Sequence, residues 1–141
     1  MPLSLCFLCL LSLSAPAAAE WISAHRWQQR LVVVQGLSSN AVAAALRQHD
    51  HALRERRMAV WLLQGEQLGW IGGAEPLAAP PTHGPALDSL RRALRKAPEG
   101  STLYLFGLDG GLKGAVARPE QLVELIQAVD SMPMRAREIR R

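Results

Sequence analysis

The sequence predicts an α/β domain of the thioredoxin-like kind, and three observations carry that expectation. Arg30–Gln35 and Met58–Leu63 are continuous, largely apolar runs rich in β-branched and large side chains. A helical pattern separates them, and further on two more strand-like runs flank the pair Asp109-Gly110. Apolar residues that do not alternate with polar ones mark strands covered on both faces. Asp-Gly between strands marks a hairpin, because both central residues of such a turn take positive φ. The expected order is β-α-β-α-β-β-α, a central mixed sheet flanked by helices. Strands separated by helices are expected to pair in parallel, with the hairpin adding an antiparallel edge. A generic three-layer α/β domain is the alternative.

Taken in order, the chain opens with an apolar run, Leu3–Leu13, followed by small residues; Ala17 and Ala19 form an A-x-A pattern before Glu20. Residues 1–19 therefore read as a signal peptide. The run is too short for the roughly 20 residues that span a bilayer. Residues 20–141 are then a single domain, periplasmic or secreted. Trp21–Gln29 is a lead-in to the first strand. Ser38, Ser39 and Asn40 offer helix caps, and Val42, Ala45, Leu46, His49 and Leu53 follow at helical spacing. Arg54–Arg57 is a charged break before the second strand. Residues 65–85, rich in glycine and proline, read as a long surface loop, with Leu68, Trp70 and Ile71 extending the second strand.

A second helix is expected over Ala86–Lys96, with Leu87, Leu90 and Leu94 on its buried face and Asp88 spaced to pair with Arg92. Pro98 and Gly100 end it. Strands follow at Thr102–Gly107 and Leu112–Ala117. Pro119 opens the last helix, whose buried stripe is Leu122, Leu125, Ile126 and Val129. Pro133 is expected to stop it, leaving residues 132–141 as a basic tail.

Composition excludes the chemistry that a thioredoxin-like fold often carries. The only cysteines are Cys6 and Cys9, both in the leader, so residues 20–141 support neither thiol redox catalysis nor cysteine-based zinc binding. The formal net charge is +4, and the basic residues are arginines apart from Lys96 and Lys113. Ser38 and Ser39 stand where a redox pair would be, and they read as helix caps. As nucleophiles they would need a base, for which His25 is the candidate. His49 and His51 diverge on a helix; only an extended segment, with His83, would make a weak metal site. Gly65, Gly69, Gly72 and Gly73 match no phosphate-loop spacing. Asp109, Gly110, Gly111 and Lys113 serve the hairpin turn, and Lys113 discourages edge pairing.

Three patches resemble a known family. Arg26-Trp27-Gln28-Gln29-Arg30, with the valine run after it, resembles the W-x-x-R-plus-strand opening of the DUDES-type domain. Gly107-Leu108-Asp109-Gly110-Gly111-Leu112-Lys113 is similar to its G-K-D-G-G-x-K hairpin, with Leu108 in place of the lysine and Gly114 following where a larger residue is usual. Asp130-Ser131-Met132-Pro133-Met134-Arg135-Ala136-Arg137-Glu138 is similar to its D-x-M-P-M-R-x-x-E ending. The resemblance implies a thioredoxin-like fold and export, as in small secreted bacterial proteins and the modules of vertebrate matrix proteins such as equarin. It implies no reaction.

The function expected from these readings is a redox-inactive binding module for a protein or an anionic envelope polymer. No catalytic, metal-binding or cofactor-binding set is assigned, no cofactor is implied, and nucleic acid is disfavoured. The partner-binding candidates are Arg91, Arg92, Arg95, Lys113, Arg135, Arg137 and Arg140. The alternatives are a cysteine-free enzyme, hydrolytic in class, and a periplasmic peptide-binding accessory protein using the groove near Ser38 and Ala97-Pro98.

Overall fold

Val32, Val33 and Val34 are wholly buried because the strand that holds them, β1 (Arg30–Gln35), runs down the middle of a five-stranded sheet. The computed structural model describes residues 18–81 and 84–140. The other strands are β2 (Met58–Gln64), β3 (Gln67–Gly73), β4 (Leu103–Phe106) and β5 (Leu112–Val116). The helices are α1 (Ala18–His25), α2 (Ser39–Glu55), α3 (Gly84–Leu94), α4 (Leu122–Asp130) and α5 (Pro133–Ile139), with a 3₁₀ turn at Pro119–Gln121. The order across the sheet is β3-β2-β1-β4-β5.

The unbroken apolar runs are explained by burial on both faces. Val32, Val34, Val60, Leu62, Leu103 and Leu105 pack with Val42, Leu46 and Leu53 of α2 and with Leu122, Leu125, Ile126 and Val129 of α4. Their chain neighbours Leu31, Val33, Ala59, Trp61, Tyr104 and Phe106 point the other way, onto Trp21 of α1 and Leu87, Leu90 and Leu94 of α3. The result is a mixed α/β domain in three layers. Among the described residues no helix is long and apolar enough to cross a membrane.

Four expectations need correction. β1 and β2 are parallel, but β4 runs antiparallel to β1. The cause is β3, which is a strand of its own rather than a loop or an extension of β2. It folds back antiparallel on β2 and reverses the chain before α3. Within the stretch expected as a loop at 65–85, residues 67–73 form β3 and residues 84–85 open α3, while residues 74–81 have no regular secondary structure. Gly72 and Gly73 permit close approach: a Cβ on Gly72 would lie 3.3 Å from Leu46, and Gly73, at φ +73, sits against the Met58 carbonyl oxygen. Second, the lead-in is helical from Ala18 to His25. Third, Asp88 pairs with Arg91 at 3.1 Å, while Arg92 donates to Ser89. Fourth, the basic tail is a helix. Pro133 follows the end of α4 but occupies the first turn of α5, where its missing N–H costs nothing.

Candidate functional site

Two residues that are not glycine have positive φ among those described: Trp27 at 66° and Arg57 at 52°. Each stands just past a helix end, Trp27 after α1 and Arg57 after α2, where glycine is the usual residue. The Trp27 N–H donates to the Leu108 carbonyl at 2.7 Å, and the Arg57 N–H donates to the Arg54 carbonyl at 3.1 Å. Arg57 also accepts from the Arg30 N–H at 2.8 Å, which joins the α2 end to the head of β1. Left-handed backbone at a bulky residue costs about 1–3 kcal/mol and concentrates at functional places. Here both residues line one pocket.

That pocket lies at the end of the sheet where β1 and β2 begin. It encloses about 240 Å³ and is lined by Trp27, Arg57, Leu108, Met134, Arg137 and Glu138. Beside it is a network of charges. Arg30 is fully buried; its Nη1 donates to the Arg56 carbonyl at 2.8 Å and lies 3.3 Å from the Glu138 carboxylate. Its Nε and Nη2 are buried with no hydrogen-bond partner among the described residues. Arg57 donates to Glu138. Arg135, also buried, reaches Glu138 at 3.2 Å and Glu55 at 3.2 Å. Arg56 holds Asp130 through two bonds, at 2.7 and 3.1 Å.

These contacts set the charge states. Burial lowers the Arg30 pKa against the opposing pull of Glu138. Burial would raise the Glu138 carboxyl, but hydrogen bonds from Arg57 and Arg135 and the charge of Arg30 outweigh it, and the net shift is downward. Asp130 is lowered first by its hydrogen bond from Arg56. With Arg137 included, five arginines (30, 56, 57, 135 and 137) face three carboxylates (Glu55, Asp130 and Glu138), so this end of the molecule stays cationic. Arg137 is exposed and makes no ion pair or hydrogen bond among the described residues.

The partner-binding candidates from the sequence therefore divide. Arg135 is a buried structural cation, not part of a solvated tail. Arg137 lines the pocket, and Arg140 is exposed at the end of α5. Lys113 is held by Asp109 at 2.6 Å inside the hairpin, where Asp109 also accepts from the Gly111 N–H at 2.9 Å. Arg91 is bound to the Gly65 carbonyl and to Asp88. Arg92 and Arg95 are exposed on and just beyond α3.

The rival chemistry is not brought together. The Ser38 hydroxyl accepts from the Ala41 N–H at 3.3 Å, capping α2. It borders a crevice of about 520 Å³ with Gln35, Gly36, Gln64, Gly65 and Arg91 at the far ends of β1 and β2. His25 is buried at the opposite end, its Nδ1 2.8 Å from the Trp21 carbonyl oxygen. The six residues of β1 lie between them, a span of about 20 Å. Pro98 lies in the turn ahead of β4, accepting from the Ser101 N–H at 3.2 Å. His49 and His51 lie on α2, His83 falls outside the described residues, and among the described residues no three His, Cys, Asp or Glu side chains cluster as metal ligands.

Sequence reasoning missed Trp27, Arg57, Leu108, Met134 and Glu138 as pocket residues. For Arg57 the available signal was a bulky residue just after the helical pattern of α2, in the place of a glycine cap. The three patches quoted above, distant in sequence, meet at this pocket through Trp27, Leu108, Met134, Arg137 and Glu138. A protein-family model described as a domain of unknown function, DUF4174, matches residues 22–138 and so takes in the whole pocket. No curated protein and no solved structure matches the chain.

Proposed function

We propose that this chain, which belongs to the DUF4174 family of domains of unknown function, is a redox-inactive binding module that docks an anionic partner on the end of the sheet around Trp27 and Arg137. The observation that carries this reading is Arg137. It is an unpaired guanidinium beside an exposed tryptophan, above a network whose other four arginines are already held by carboxylates or backbone carbonyls.

Two finer statements belong to the same reading. The chain is thioredoxin-like, which is supported by a parallel β1–α2–β2 unit followed by the antiparallel β4–β5 hairpin and α4. It is related to the DUDES-type domains, as its three sequence patches suggest, and is exported by the leader at residues 1–19. The partner is then an acidic protein or an anionic polymer of the cell envelope.

Binding to polyglutamate and to dextran sulfate, measured by calorimetry at increasing salt, tests the reading. Affinity should fall steeply with ionic strength. Arg137→Ala should weaken binding about fivefold, since a basic residue near an anionic surface contributes about 1 kcal/mol. Arg95→Ala should leave it unchanged. Salt-independent binding, or equal loss from the two substitutions, would refute the site.

A further inference from the structure

We propose that the Trp27 pocket seats the free carboxylate end of a polypeptide whose last residue is apolar, an inference that rests on the anionic-partner reading above. Size comes first. At about 240 Å³ the pocket falls below the roughly 300–1,000 Å³ of sites that enclose a whole small ligand. It holds one end group, and the remainder of the ligand must leave over the rim.

Charge gives the second restriction. Arg57 and Arg137 line the pocket together with Glu138, whose carboxylate is already bonded by Arg57 and Arg135 and paired with Arg30. Arg137 is therefore the cation lining the pocket that is left to be balanced, and a carboxylate monoanion balances it. Arg57 already donates to Glu138. Arg137 has no acceptor among the described residues, so its planar fork is available to a carboxylate.

The walls give the third. Trp27, Leu108 and Met134 are apolar and suit a hydrocarbon stem behind the carboxylate. Trp27 and Ile139 are the two most exposed large apolar side chains among the described residues, at 59% and 67%, and they stand on the two segments that bound the pocket. A chain leaving the pocket can run across such apolar surface; a free small acid gains nothing from it. The hydrogen bond from the Trp27 N–H to Leu108 fixes the indole-bearing backbone beforehand, which reduces the entropy cost of binding. Capture of a chain terminus by a fixed polar site is an established mode of peptide recognition.

The test uses the full chain and three probes: an N-acetylated tetrapeptide ending in leucine with a free carboxylate, the same peptide as its amide, and 3-phenylpropionate. The acid peptide should bind and shift the Trp27 indole resonance. The amide should bind about tenfold more weakly, as should the acid peptide to Arg137→Gln, as expected for a lost charge-assisted hydrogen bond. Trp27→Gly, whose backbone suits positive φ, should fold and lose the binding. Equal binding of acid and amide, indifference to Arg137→Gln, or no binding at all would overturn the proposal. Phenylpropionate binding as tightly as the peptide would overturn the polypeptide assignment. If these probes fail while polyglutamate still binds through Arg137, the terminal-carboxylate proposal falls alone; if both fail, the anionic-partner reading falls with it.

Discussion

Glu138 is reached by three arginines from separate parts of the chain: Arg30 at the head of β1, Arg57 before β2, and Arg135 one turn back on α5. Removing the carboxylate leaves a buried guanidinium without its counter-charge, which costs about 3–5 kcal/mol in comparable pairs. Glu138→Gln should therefore lower the urea midpoint strongly, while Arg137→Ala, which touches no such partner, should stay within about 0.5 kcal/mol of the parent. Acid should expose the same network. Glu138 and Asp130 ionise below their ordinary values of 4.5 and 3.8. As pH falls, the unfolded chain takes up these protons before the folded one does. The stability the two carboxylates supply is thus complete above about pH 5, and it is lost as pH drops through the ordinary values toward the lowered ones. His25 begins the decline earlier, because burial holds it below its ordinary 6.5. Urea titrations from pH 8 to 3 should show stability starting to fall near 6.5. His25→Phe should remove that upper part and Glu138→Gln should flatten the lower part. Arg135 illustrates why residue roles were hidden in the sequence. Arg135 and Arg137 are both arginines of one basic stretch, yet one is buried against Glu138 and against Glu55, 80 positions away, and the other is unpaired. Spacing along the chain carries no trace of that difference.

Besides the helical lead-in α1, the sequence concealed β3 and α5, these two for opposite reasons. In β3, glycines at 69, 72 and 73 suppress the strand pattern, although Gly72 and Gly73 are what allow α2 and the Met58 carbonyl to approach. In α5, Pro133 reads as a terminator when its position is a helix start. The helical stripes of α3 and α4 and the presence of a hairpin at Asp109-Gly110 were legible from local pattern, but the turn differs from the one expected: Gly110 has positive φ and Asp109 does not, its carboxylate instead accepting from the Gly111 N–H. Glycine substitutions separate the two kinds of requirement. Gly36→Ala, at φ +82 with open space around it, should cost only the left-handed backbone penalty of about 1–2 kcal/mol. Gly73→Ala adds a collision with the Met58 carbonyl and should cost clearly more, loosening the β2–β3 pairing; thermal unfolding of the two variants checks the order. Ending the chain at Ser131 would remove Arg135 and Glu138 together. It should destabilise the protein by stranding Arg30, rather than behave as the loss of a loose tail.

For the whole molecule, the layered sheet makes two opposite ends, and they are chemically unlike. One end carries the Ser38 cap and the crevice beside Arg91, where a thioredoxin-like fold would place redox chemistry; Cys6 and Cys9, the chain's only cysteines, lie outside the described residues. The other end gathers Trp27, Arg57, Leu108, Met134, Arg137 and Glu138 from both termini and the middle of the chain. That convergence needs the tertiary fold, so composition pointed to arginine without locating the pocket. The most direct measurement is a titration of polyglutamate into uniformly ¹⁵N-labelled protein, followed residue by residue in two-dimensional NMR spectra. The Trp27 indole, the Arg137 side chain and the Arg57 and Leu108 amides should move together and saturate at one ligand concentration. Shifts confined to the Arg92–Arg95 face or to the Ser38–Arg91 crevice, with Trp27 and Arg137 unmoved, would contradict binding at this end of the sheet.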